Sequence, residues 1–177
     1  MGQLSGKNIL MVVGQKNYNE QEFNYLNEKL TEAGARVWVA APRQEKALGR
    51  LEGYAVPDVT IEQAKASDYH ATVIIGGYGA YVDLWDNQAL HQLVRDAHQS
   101  GQLIVACSVA PVVLANAGIL EGKKATTYPD YNAAVIFQEK NVHHVYEKVV
   151  QDDNIITTNH PKEVEQVYEL ILTRLAG

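Results

Sequence analysis

Four short runs that are apolar at almost every position constrain this chain more than any other feature: Asn8 to Val13, Arg36 to Ala41, Ala71 to Ile75 and Leu103 to Ala106. A strand that faces water on one side alternates apolar and polar residues, whereas a strand covered on both faces does not. Between the runs the period changes. Phe23, Leu26, Leu30 and Ala33 recur at helical spacing before Gly34, and Leu90, Leu93, Val94 and Ala97 do so before Gly101. Buried strands that alternate with helices predict a mostly parallel sheet with helices on both sides. At 177 residues, with 46% hydrophobic and 20% charged side chains, the chain can bury such a core as one domain over 1–177.

The remaining segments read less regularly. Arg43 to Asp58 holds glycines and prolines and predicts a small hairpin, and Ile61 to Ala66 a short helix. A small apolar helix is expected from Val109 to Ala117, ended by Gly118. Val145 to Val150 and Asn154 to Thr158 read as strands around an Asp152-Asp153-Asn154 turn, and Pro161 opens a last helix.

Charge and cysteine count exclude several functions. Fifteen basic against 21 acidic residues leave a net charge of −6, the wrong sign for a broad nucleic-acid surface. No apolar stretch reaches the length of a membrane span, and no signal peptide is read, so a cytoplasmic protein with no membrane partner is expected. One cysteine permits no internal disulfide and no thiolate metal cluster. The six histidines form no metal constellation: His143 and His144 are adjacent, and His91 and His98, seven apart on a helix, read as surface residues. Neither metal nor cofactor is expected.

In an open parallel sheet, ligands collect beyond the carboxyl ends of the strands. That rule nominates Gly14 to Glu22, Gly76-Gly77 and Cys107-Ser108. Cys107 follows a buried strand and precedes a helix, where a sharp turn holds a residue out over the sheet edge and backbone N–H groups favour a thiolate. A lone cysteine is otherwise a small core hydrophobe. Gly77 and Ser108 could each aim an N–H at a developing oxyanion, although paired glycines also simply end strands. His160 follows a strand and could reach the same edge, and Tyr18, Tyr78 and Tyr81 fall in loops expected to rim the pocket.

The run Ala106-Cys107-Ser108-x-Ala110-Pro111, continuing through Gly118 and Gly122 to Thr126-Thr127-Tyr128-Pro129, together with the earlier Gly76-Gly77, resembles the ThiJ/PfpI superfamily. The likeness extends over nearly the whole chain. It implies a flavodoxin-like three-layer α/β sandwich with a nucleophile elbow. It implies Cys107 as nucleophile, Gly77 and Ser108 as the oxyanion hole, and a glutamate early in the first helix. Counting back from Gly34 that glutamate is Glu22, with Glu20 the alternative; without the resemblance both read as first-turn acids that favour the helix dipole. Gly76, Tyr128 and His160 are the expected pocket residues.

The implied activity is cofactor-free cysteine chemistry on small reactive carbonyls, of glyoxalase III or deglycase type, in a stress-protective homodimer. The alternatives are a PfpI-type amidase or protease and a non-catalytic redox-sensing or chaperone-like protein. Three positions depart from the superfamily pattern. Ser108 stands where hydrolytic members have His after the cysteine, Val109 where Gly is usual two residues after it, and Tyr128 where a His precedes the proline.

Overall fold

The computed structural model describes residues 2–177, and its first strand, β1 (Asn8–Val12), is enclosed on both faces. Ile9, Met11 and Val13 point to one side, Leu10 and Val12 to the other, as a two-residue period requires. A short strand β2 (Lys16–Tyr18) leads into helix α1 (Glu20–Glu32). Asn19 caps α1 by accepting the Glu22 N–H at 3.0 Å, and Gly34 leaves the helix at φ 97°. Phe23, Leu26 and Leu30 form its buried stripe; each contributes about 1.5–3 kcal/mol of burial.

The chain continues through β3 (Arg36–Ala41), the expected hairpin of β4 (Ala47–Gly49) and β5 (Tyr54–Ala55), and a two-residue edge strand β6 (Val59–Thr60). No helix covers 61–66; a turn and one 3₁₀ turn at Ala66–Asp68 take its place. The segment follows an edge strand closely, and only Ile61 and Ala66 of those six residues are buried, too narrow an apolar face to hold a helix down.

β7 (Ala71–Ile74) is followed by a π-helical turn over Ala80–Leu84, helix α2 (Gln88–Gln99), strand β8 (Leu103–Ala106) and helix α3 (Pro111–Asn116). Then come β9 (Lys124–Ala125), helix α4 (Tyr131–Glu139), β10 (His143–His144), β11 (Val149–Asp152), β12 (Ile155–Thr158) and helix α5 (Val164–Leu175). Of these, α4, β9 and β10 are elements that sequence patterning missed.

The main sheet has seven strands in the order β11-β12-β8-β7-β1-β3-β6. All pairings in it are parallel except the antiparallel edge β11–β12. One face packs against α1 and α5 through Ile9, Met11, Val73 and Val105. The other packs against α2, α3 and α4 through Leu10, Val12, Ile74 and Ile104. This is the mixed α/β, flavodoxin-like three-layer arrangement expected. From β1 the chain steps out to β3 on one side and later returns to β7 on the other, so the strand order switches between β1 and β7. The crevice belongs at the carboxyl ends of those strands. Among the described residues, no helix is long and apolar enough to cross a membrane.

Candidate active site

A cleft of about 610 Å³ opens at that switch point. Its floor is Gly77, Ser108 and Val109, and Tyr78 and Tyr81 form one wall. Tyr128, Asp130 and His160 form another, and Asn19, Gln21 and Arg50 close the rim. A second hollow of about 420 Å³ lies among Asp68, His70, Gly101 and Arg174. It sits at the amino ends of β7 and β8, where strand ends converge no loops of the reactive kind, and is set aside on that ground.

The elbow falls one residue later than the sequence reading places it. Cys107 continues the alternation Leu103, Val105, Cys107 toward the α1 side of the sheet, and its N–H is still tied to Ile74 O at 3.0 Å. Its side chain is 1% exposed and does not line the cleft. Burial pushes its thiol well above the usual range, the neighbouring Glu22 pushes it the same way, and a contact with Thr158 only partly opposes them. An accessible, readily ionised thiolate is therefore not what Cys107 presents. The residue at the sharp turn is Ser108, at φ 58°, an uncommon left-handed conformation for a residue with a side chain.

Ser108 Oγ is hydrogen-bonded to Glu22 Oε2, and Glu22 Oε1 accepts the Gly76 N–H at 2.8 Å. Glu22 is fully buried. Desolvation raises its pKa to about 7, against the opposing pull of the hydrogen bonds from Ser108 and Gly76. Glu22, not Glu20, is thus the carboxyl that meets the turn, and its side-chain partner there is Ser108. Glu20 does other work: its two carboxylate oxygens accept the Leu51 and Gly53 N–H groups and hold the tip of the β4–β5 hairpin against the start of α1.

Two backbone N–H groups belong to residues that line the cleft. Gly76 O accepts the Asn19 N–H at 3.0 Å, and Ser108 O accepts from Tyr128 N at 2.8 Å and Thr127 Oγ1 at 3.1 Å. A trans peptide sends its N–H opposite to its carbonyl, so these anchors orient the N–H groups of Gly77 and Val109. Among the described residues neither donates to a protein acceptor. The Ser108 N–H, expected as half of an oxyanion hole, is instead spent on Thr158 Oγ1 at 3.2 Å. Among the described residues, the N–H groups left without a protein acceptor at the turn are those of Gly77 and Val109, and Trp85 Nε1 further fixes the turn by donating to Val109 O at 2.9 Å.

The other expected pocket residues divide. Tyr128 and His160 line the cleft with ring centroids 6.0 Å apart. His160 Nδ1 accepts the Lys162 N–H at 3.1 Å, which leaves the neutral ring's proton on Nε2. Gly76 lies behind the cleft: a Cβ there would stand 2.7 Å from Cys107 O and 2.8 Å from Ser108 Cβ. Tyr78 and Tyr81 stack at 5.9 Å on the rim, whereas Tyr18 is buried edge-on against Phe23. His91 is also interior, with Nε2 2.8 Å from Trp85 O, and not the surface residue expected. Among the described residues no three His, Cys, Asp or Glu side chains gather as a metal site.

The raised pKa of Glu22 has a measurable consequence. The unfolded chain loses this proton near the ordinary glutamate value of 4.5 and the folded chain only at about 7, so the folded state holds more protons between them. Stability should fall as pH rises through that window, by on the order of 3 kcal/mol, and level off above it. Urea unfolding at pH 5 and pH 8 checks this. Glu22→Gln should remove this component of the slope while keeping the fold, and an unaltered slope in that variant would contradict the assignment.

Comparison with known proteins agrees with the fold. The family model described as DJ-1/PfpI family matches residues 7–174. An uncharacterized protein of Methanocaldococcus jannaschii is 36% identical over 155 residues, covering 86% of this chain and 75% of its own length. The protein named deglycase PfpI of Pyrococcus furiosus is 24% identical over 156 residues, or 88% of this chain and 92% of that one. The crystal structure of a ThiJ/PfpI domain protein from Brachyspira murdochii superposes with a TM-score of 0.89 at 24% identity, covering 97% of both chains.

Proposed function

The chain belongs to the DJ-1/PfpI family, and from that membership we propose an enzyme that acts on small reactive carbonyl compounds, with Ser108 as the attacking residue and Glu22 as its acid–base partner. The observation that carries this reading is the Glu22–Ser108 hydrogen bond at a left-handed turn on the floor of the cleft. Archaeal relatives named deglycases support the carbonyl chemistry.

On a 2-oxoaldehyde such as methylglyoxal, ionised Glu22 takes the Ser108 hydroxyl proton as Oγ bonds to the aldehyde carbon. The carbonyl electron pair moves to oxygen, where the N–H groups of Gly77 and Val109 can stabilise it. Glu22 hands its proton to that oxygen and removes the hydrogen from the same carbon, leaving an enediolate; it returns the proton to the adjacent carbon while the hydroxyl proton of the first carbon passes to the oxygen of the second. The first carbon is oxidised and the second reduced, so no outside oxidant or reductant enters. The product is a serine ester of a 2-hydroxy acid. Water then hydrolyses it with Glu22 as base, releasing lactate and restoring Ser108. A carboxyl with a pKa of about 7 is suited to both giving and taking a proton near neutral pH.

Amide hydrolysis is the weaker reading, because no histidine serves Ser108 as base: position 109 is valine, and His160 presents its Nε2 as a donor. Redox sensing would need the accessible thiolate that Cys107 lacks. The test follows methylglyoxal loss and lactate release as a function of pH. kcat/KM should rise as pH passes through about 7, and Glu22→Gln should lower it by about 10²–10⁴-fold and remove the rise. No methylglyoxal loss at any pH would overturn the proposal.

A further inference from the structure

The rim of the cleft carries a cation that the chemistry above does not use. Arg50 lines the cleft from the tip of the β4–β5 hairpin, and among the described residues its guanidinium pairs with no carboxylate. The backbone that carries it is tied down. Its own N–H donates to Tyr18 O at 3.2 Å, Gly49 N–H donates to Gly53 O at 2.8 Å, and buried Glu20 accepts the Leu51 and Gly53 N–H groups. Gly49 and Gly53 leave room for that carboxylate, since a Cβ at either would stand within 2.3 Å of a Glu20 side-chain atom. A buried acid and two glycines thus serve to place one exposed arginine over the mouth of the cleft.

The cleft also holds one acidic side chain, whose carboxylate is turned to a helix start. Asp130, the acidic residue lining it, accepts the Ala133 N–H at 2.9 Å as the cap of α4. The molecule as a whole carries −6, so an anion reaching this cleft meets general repulsion, Asp130 on one side and the single attraction of Arg50 on the other. A guanidinium presents paired donors that match a carboxylate in two parallel hydrogen bonds. The cleft, at about 610 Å³, is also larger than methylglyoxal needs.

We propose that Arg50 binds a carboxylate on the far end of the substrate, so that the substrate class is a 2-oxoaldehyde bearing an acid group several bonds from the aldehyde. This rests on the reading of Ser108 and Glu22 as a carbonyl-directed pair. The reaction is the same: water is added overall, the aldehyde carbon is oxidised, its neighbour is reduced, and the distal carboxylate is untouched.

The probe substrate is 4,5-dioxopentanoate, compared with methylglyoxal, and the probe ligand is its hydroxy-acid product, 2-hydroxyglutarate. The wild type should favour the carboxylated aldehyde in kcat/KM by about tenfold or more, and Arg50→Met should bring that ratio close to one. Calorimetric titration of 2-hydroxyglutarate gives a readout without turnover. Ser108→Ala should still bind it, Arg50→Met should weaken binding by about tenfold or more, and Arg50→Lys should lie between. Arg50 is exposed, so its replacement leaves the core intact. Equal 2-hydroxyglutarate affinity in wild type and Arg50→Met overturns the inference. Turnover of neither aldehyde, with Arg50-dependent binding retained, overturns the carbonyl reading and leaves the carboxylate site standing.

Discussion

Replacing Ser108 by alanine is expected to lower kcat/KM for methylglyoxal by about a thousand-fold or more, whereas Cys107→Ala leaves it within about threefold. The two residues are neighbours in sequence but face different surroundings. Ser108 Oγ meets Glu22 and lines the cleft, while Cys107 ends the alternation of β8 inside the α1–α5 core. On the proposed mechanism, removing the hydroxyl takes away the attacking atom and leaves Glu22 with no partner to deprotonate, whereas removing the buried thiol opens a small void on the α1–α5 side of the sheet. The same contrast appears in alkylation. The native wild-type thiol should resist iodoacetamide, because burial disfavours its charged form and blocks the reagent. Ser108→Cys should add one readily labelled thiol on the cleft floor. If Cys107→Ala abolished turnover while Ser108→Ala preserved it, the elbow would have to be reassigned to Cys107.

The largest structural effect is expected at Gly76. A methyl group there would lie 2.7 Å from Cys107 O, 2.8 Å from Ser108 Cβ and 3.0 Å from Glu22 Oε1. The first of these is backbone at the end of a central strand and cannot swing aside. Gly76→Ala should cost about 3 kcal/mol or more in urea unfolding, at the upper end of what overpacking produces. Whatever folded protein remains should lose most of its turnover, because relief of the clash must displace Ser108 or Glu22. A stability loss below about 0.5 kcal/mol would show that the elbow is looser than these contacts require.

The strands of the sheet were legible because burial on both faces writes itself as an uninterrupted apolar run, and the caps of α1 and α2 because Gly34 and Gly101 follow helical spacing directly. Helix α4 was not, because only Ala133 and Phe137 of its nine residues are buried, too thin a stripe to stand out. Its one available signal was Asp130, a helix-capping residue type three positions before Ala133. Glu22 could be reached only through family resemblance, since nothing local distinguishes it from Glu20 four-square in the same first turn.

The elbow was misplaced by one position because the residue type outweighed the phase. A cysteine draws attention as a nucleophile, yet strand alternation from Leu103 and Val105 already assigns Cys107 to the core face. Counting from Pro111 would have helped. With Ser108 at the turn, the residue two positions on is Ala110 and no longer the bulky Val109, and the second oxyanion donor moves from Ser108 to Val109. Both departures persist in the new register, with Val109 where His would follow the turn residue and Ala110 where Gly is usual, and a serine now stands at the turn itself.

One turn of α1 carries two acids with opposite duties: Glu22 reaches inward to the reactive hydroxyl, and Glu20 grips the hairpin that bears Arg50. Lengthening or shortening the Gly14–Asn19 approach would therefore slide both at once. A shift in where α1 begins would thus be felt both at the Ser108 turn and at the hairpin tip, whereas a substitution at Arg50 alone would be felt only at the rim.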